Sequence, residues 1–354
     1  MDRWMLLAAA DGPTHDLSIF SPASPSTQSI VDLAILTFAI IGLIFVVVEG
    51  VLFYSVWRFR ERQSESPGGR SIKKGGKPAA APTSEPAQVY GSQPIEVAWT
   101  AAPTMIVFFL VLVTARTLWE VNVSPPEPRD GDNTLFVTVT GRQWWWEYSY
   151  ETYDGRKLGF ITANELHVPA SSTETSRKTH LTLKSADVCH SFWAPRLAGK
   201  VDLIPGKINT LSFETKEPGL YVGQCAEYCG TQHANMLIRV VVDTPEDFER
   251  WLENEALPAV DDPQVKAGKE KFLAQSCVNC HRVRGTPAAG TYAPDLTHLM
   301  SRATLASGQI ENTPELLAAW VDDPQKIKPG CLMPAFGLTK RDQESIVEYL
   351  RTLK

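Results

Sequence analysis

Two cysteine signatures follow one another in this 354-residue chain. The first is Cys225-Ala-Glu-Tyr-Cys229, with His233 and Met236 close behind; the second is Cys277-Val-Asn-Cys280-His281. The first spacing suits a thiolate copper site and the second suits covalent haem attachment. Two redox centres on one polypeptide imply electron transfer.

Around the first signature, His190 closes a strand-like region upstream. Two thiolates, two imidazoles and a thioether form a soft donor set suited to copper, and two thiolates can bridge two ions so that one electron is shared between them. A Cys225–Cys229 disulfide and a structural zinc loop are the alternatives; a mononuclear blue-copper site needs only one cysteine. In the second signature the two thiols form thioethers to haem and His281 becomes the proximal iron ligand. A chance match, a thiol redox pair or zinc would use the same residues. The sixth ligand is expected far downstream, where Pro329-Gly-Cys-Leu-Met333-Pro presents Met333 on a proline-flanked loop, with His298 and Met300 as rivals. For the remaining Cys189 and Cys331 the favoured reading is a buried structural thiol.

These residues must be carried by more than one folded unit, given the length of the chain. A formal charge of -6 with 44% hydrophobic residues gives no basic patch of the kind nucleic-acid binding needs. Residues 30–57 and 97–119 are almost wholly apolar and long enough to cross a bilayer as helices. Trp57, Trp99 and Trp119 lie near their ends, as interfacial aromatics do. Between the spans, Arg58, Arg60, Arg62, Arg70, Lys73, Lys74 and Lys77 outnumber Glu61, Glu65 and Glu85. The positive-inside rule places this loop in the cytoplasm and both termini outside. Residues 1–28 form an N-terminal segment whose start, Met1 to Ala10, has the texture of a signal remnant. Glu49 within the first span is read as a buried hydrogen-bonding group, whereas Glu96 at the start of the second is equally consistent with simple solvation.

Beyond the spans, short β-rich segments at 134–140, 144–150, 180–183, 208–213, 219–222 and 236–242 are punctuated by Gly, Pro and Asp, which predicts an antiparallel β-sandwich or barrel. Residues 244–262 read as the join to a second unit, with Phe248, Trp251 and Leu252 at helical spacing. Helices are expected at 265–276, 313–321 and 340–353, and so small a helical unit gains from a large bound cofactor. The expected organisation is therefore a hairpin at 29–120 with its loop at 58–94, a β domain at 130–243 and a helical domain at 263–354.

The runs Asp187-Val-Cys-His-Ser-Phe-Trp-Ala-Pro195, Lys200-Val-Asp-Leu-Ile-Pro-Gly206 and Gly223-Gln-Cys-Ala-Glu-Tyr-Cys-Gly-Thr-Gln-His-Ala-Asn-Met236 resemble subunit II of haem-copper cytochrome c oxidases. The helical unit resembles class I cytochrome c, a fusion like that in caa3-type oxidases. The resemblance implies a two-helix membrane hairpin, a cupredoxin-like antiparallel sandwich and an all-α cytochrome domain. It also implies a binuclear copper centre, CuA, held by His190, Cys225, the carbonyl of Glu227, Cys229, His233 and Met236, with the Glu227 side chain reaching magnesium beside subunit I. Electrons from cytochrome c or an upstream respiratory complex would reach haem c on Cys277, Cys280, His281 and Met333, then the copper pair, then subunit I, where oxygen is reduced and protons are pumped. Gly141-Arg-Gln-Trp-Trp-Trp-Glu-Tyr148 resembles the family's aromatic segment, which makes Trp144 the point where electrons enter; Glu96 matches the glutamate at a proton-path mouth. Subunits I and III are the implied partners, in a bacterial cytoplasmic membrane with both redox domains on the periplasmic side.

The chain departs from the family's pattern at Arg142, Trp145 and Cys189, which replace a usual His, Tyr and aliphatic residue, while every copper ligand remains. A copper and haem subunit of another reductase, such as a nitric oxide reductase, and a membrane-anchored copper-delivery protein remain as rivals. A quinol oxidase subunit is disfavoured, because that relative lacks the copper ligands.

Overall fold

The computed structural model describes residues 17–60, 90–121 and 131–354; the signal-like start and most of the 58–94 loop lie outside them. Two compact units emerge, Asp32–Leu118 and the remainder of the chain.

The first unit holds most of α1 (Pro25–Phe59) and α2 (Gln93–Val121), both long and apolar enough to cross a membrane. Their large apolar side chains, Phe45, Phe53, Phe108 and Leu112 among them, are exposed, which suits a lipid surround rather than water. Pro103 sits inside α2, one turn beyond the nearer-to-start position expected of it. Glu49 is half-buried and not buried as expected, because α1 presents most of its surface outward.

In the second unit the chain forms β1 (Leu135–Arg142), β2 (Trp145–Tyr153), β3 (Arg156–Ala163), β4 (Glu165–Pro169), β5 (Thr179–Ser185), β6 (His190–Trp193), β7 (Val201–Leu203), β8 (Asn209–Phe213), β9 (Gly219–Cys225) and β10 (Leu237–Asp243). They build two five-stranded sheets, ordered β3-β2-β1-β5-β8 and β4-β10-β9-β6-β7. Alternation drives the assembly: every second residue of β1, beginning with Leu135, Val137 and Val139, turns into a core shared with Trp146, Tyr148, Leu183 and Phe192. The sandwich is as expected, but it is not wholly antiparallel. β1 pairs with β5 and β4 with β10 in parallel, because in each case intervening strands carry the chain back to its starting end before the partner is laid down.

The expected join is a helix, α3 (Pro245–Ala256), capped by Thr244, whose hydroxyl accepts from the Asp247 amide. Phe248 and Leu252 belong to the sandwich core, and Trp251 stacks on His167 with ring centroids 4.5 Å apart. The helix therefore caps the β core instead of hanging between domains.

The helical part comprises α4 (Lys266–Ala274), the single turn α5 (Cys277–Cys280), α6 (Pro314–Asp322), the single turn α7 (Pro324–Ile327) and α8 (Lys340–Leu350). It is not purely helical as expected: β11 (Thr304–Leu305) and β12 (Ile310–Glu311) form a small hairpin, because Ala306 and Ser307 take the left-handed conformation and turn the chain. Where α4 crosses α8, a Cβ on Gly268 would lie 2.0 Å from the Ser345 carbonyl oxygen, so only glycine permits the crossing.

Candidate redox centres

β6 lies beside β9, with Phe192 opposite Cys225; His190, expected to close a strand, instead opens β6, which brings it to Cys225 at the end of β9. The β9–β10 connection folds back across this end, with the Cys225 amide donating to the Met236 carbonyl at 3.0 Å. His190, Cys225 and Cys229 are buried, and their donor atoms lie within 4.8 Å of one another. His233 Nδ1 and Met236 Sδ approach Cys229 Sγ to 3.6 and 3.9 Å, and the Glu227 carbonyl lies 3.2 Å from Cys225 Sγ.

The two sulfurs are 3.8 Å apart, well beyond the roughly 2.05 Å of a disulfide, so that alternative is excluded by the structure. Two thiols, two imidazoles, a thioether and a carbonyl offer six donors, which exceeds a four-ligand zinc site and fits a pair of copper ions. The thiols titrate as a couple: the hydrogen bond from Cys229 pulls Cys225 far down, to about 3, while the resulting thiolate pushes Cys229 far up. The first proton leaves easily and the second only when cationic charge compensates, as bound metal would provide.

Residues around this cluster orient it. Burial disfavours a charged His190, but its hydrogen bond to Asp187, 2.8 Å from Nε2, and its contact with Cys225 outweigh that and raise its pKa. Nδ1 is thereby left facing the sulfurs. Sequence reasoning quoted Asp187 only as part of a motif; its place three residues before His190 was the usable signal. Gly141 was missed as a functional position. A Cβ there would stand 2.8 Å from the His190 ring. Gly141→Ala is expected to displace the imidazole and weaken copper binding by roughly 10- to 100-fold, as outer-shell changes do. Copper titration of the purified protein checks this, with far-ultraviolet dichroism confirming an unchanged fold.

The second centre is a cavity with mainly apolar walls, about 180 Å³ in volume and open to solvent on one side. Cys277, Cys280, His281 and Met333 all line it, with Phe272, Leu299, Leu317 and Ile346 as walls. His281 Nδ1 is 2.8 Å from the Pro294 carbonyl, which fixes the ring and leaves Nε2 for a ligand. Burial lowers the pKa of this imidazole and favours the neutral form that binds iron. Apolar walls, paired thiols and a held histidine suit a covalently attached macrocycle. The rival axial candidates are occupied elsewhere: His298 directs Nδ1 to the Lys354 carbonyl and Nε2 to the Leu257 carbonyl, and Met300 packs against the helical core. Cys331 is half-buried at the cavity wall and Cys189 is exposed, so neither is the fully buried thiol expected; both lie on connections, not core strands.

Trp144 connects the two centres. Its indole is buried at 9% exposure, lines the apolar cavity, and donates from Nε1 to the Cys229 carbonyl at 2.9 Å. Gln143 Nε2 donates to the same oxygen at 2.7 Å. Trp145 is half-buried, with the Arg142 guanidinium 5.5 Å from its ring centroid. Glu227 is exposed, and Glu96 lies in the first turn of α2, its carboxylate accepting from the Ser92 amide at 3.3 Å.

Comparison with known proteins follows this division. Residues 14–75 match the transmembrane domain of cytochrome c oxidase subunit II, residues 135–243 its periplasmic domain, and residues 265–354 cytochrome c. The chain is 32% identical to cytochrome c oxidase subunit 2 of Alkalihalophilus pseudofirmus over 96% of its length and 92% of that protein. The same figures, 32%, 96% and 92%, describe its match to the Bacillus subtilis subunit 2. A Bacillus sp. PS3 subunit 2 is 35% identical over 76% of this chain and 77% of its own length.

Proposed function

Because the chain belongs to the cytochrome c oxidase subunit II family, we propose that it is the subunit through which electrons enter a caa3-type oxidase. When bound, haem c on Cys277, Cys280, His281 and Met333 and a copper pair on His190, Cys225, Glu227, Cys229, His233 and Met236 supply successive one-electron transfers toward subunit I, where oxygen reduction and proton pumping take place. The chain's own residues hold and orient these groups. The end of β9, the β9–β10 loop and β6 fix the copper donors, and apolar side chains line the haem cavity.

The observation that carries the proposal is Trp144, whose ring faces the cavity while its N–H is bonded to the carbonyl of Cys229. The indole thus gives a direct hydrogen-bonded link from the cavity to Cys229, and at 9% exposure it offers little surface to an external donor. The donor, cytochrome c or an upstream respiratory complex, then meets the cytochrome domain instead. Trp144→Ala in the purified oxidase is expected to slow haem-to-copper electron transfer after flash reduction by about tenfold, equivalent to about 1.4 kcal/mol in the barrier. The copper and haem spectra should stay unchanged. A rate equal to that of the unaltered enzyme excludes the indole from the path.

The same proposal places both redox domains on the periplasmic side of a bacterial cytoplasmic membrane, supported by the basic excess between the two spans. Subunits I and III are its partners there. Glu227 offers its exposed carboxylate to magnesium beside subunit I, and Glu96 stands at the mouth of a proton path; family membership is what supports both roles.

A further inference from the structure

Lys328 follows α7 and precedes the Met333 loop, yet its side chain is buried, with only 3% of the residue exposed. Nζ donates to three backbone carbonyls, Trp144, Asn235 and Ala306, each at 2.9 Å. The three acceptors belong to different segments. Trp144 is in the β1–β2 connection, Asn235 is in the copper-donor loop next to Met236, and Ala306 is in the β11–β12 turn of the cytochrome domain. One ammonium therefore ties together the cavity-facing aromatic segment, the copper loop and the haem-bearing domain.

Burying this group is costly, and no carboxylate forms an ion pair with it among the described residues. Desolvation pushes it down to about 7, while three acceptor-only oxygens require all three of its protons. A leucine or methionine would fill the same space without that cost. What the lysine adds is direction, since three hydrogen bonds from one atom fix three chain segments at once. Its neighbour extends the seam: the buried Gln232 donates from Nε2 to the Pro329 carbonyl at 2.6 Å.

We propose that Lys328 is a positioning residue that locks the cytochrome domain onto the copper loop and the Trp144 segment, fixing the distance across which electrons pass. The inference rests on the electron-transfer function above and goes beyond it by assigning the register of the two domains to a single side chain. Distance governs transfer, so a loosened seam lowers the rate while leaving each centre intact.

The test uses the complete oxidase with Lys328→Met, which keeps the length of the side chain and removes its donors. Two readouts are taken. Haem-to-copper transfer after flash reduction should slow about tenfold, and amide exchange at residues 231–236 and 304–308 should accelerate relative to the sandwich core. The visible spectra of both centres should match the unaltered enzyme. Unchanged transfer and unchanged exchange overturn the proposal. So does slow transfer with unchanged exchange, because the seam would then be intact. If Lys328→Met does not assemble, Gln232→Leu probes the same seam: faster exchange at 231–236 and 304–308 supports the lock, and exchange like that of the unaltered enzyme overturns it. Failure of the functional proposal looks different, since the unaltered enzyme would then lack haem-to-copper transfer altogether.

Discussion

Cys229→Ser is expected to strip copper from the purified protein and, on the proposed function, to stop electron flow to oxygen. Cys229 is buried, lies 3.8 Å from Cys225 Sγ, and is the sulfur nearest both His233 and Met236. Its replacement removes one of two thiols able to bridge, and a serine hydroxyl is a hard donor that stays protonated where a thiolate is needed. Because loss of an outer-shell partner alone costs roughly 10- to 100-fold in metal affinity, loss of a thiol that would itself hold copper is expected to exceed that range. Copper-to-iron stoichiometry and the mixed-valence copper resonance measure the loss directly, and oxygen consumption reports its consequence. Haem bound to the cytochrome domain should survive, since its cavity is lined mainly by residues between 272 and 350. A variant with full copper content and a native resonance contradicts the bridging role.

The second large effect is expected from joint Cys277→Ala and Cys280→Ala replacement. Both thiols line the cavity on the single turn α5, where they alone would supply covalent attachment beside the iron ligand His281. The small helical domain surrounds the cavity with apolar side chains from several elements, and its own core is modest for independent stability. Without covalent haem, the double variant should show no haem stain after denaturing electrophoresis. Its helical domain should also become sensitive to protease, while the copper resonance persists, because the copper donors all belong to the sandwich, on β6, the end of β9 and the β9–β10 loop. Haem retained through denaturation refutes attachment at these sulfurs.

How much of this was legible beforehand differs from residue to residue. The two cysteine signatures were readable because their spacing is local: four or five residues settle which side chains a single loop or turn presents. His233 and Met236 follow by the same logic, and Met333 by its proline-flanked loop. Alternating and helical periodicities likewise announced six of the ten sandwich strands and the three longer helices of the cytochrome part. The parallel pairings escaped notice, because β1 meets β5 only after three other strands have been placed. The α3 segment had its apolar spacing recognised, but which core would receive Phe248 and Leu252 depended on the exposed end of the sandwich.

Short-range order thus identifies the chemistry of this chain: two thiols spaced for copper, two spaced for haem, and two apolar spans. The relation between the redox centres is a long-range property. Trp144 reaches Cys229 across 85 positions and Lys328 reaches Trp144 across 184, and neither contact leaves a mark in local periodicity. Both depend on sheet order and on how the helical domain packs beside the copper loop. Those arrangements emerge from burial and hydrogen bonding summed over the folded chain, where no single stretch of residues carries the information.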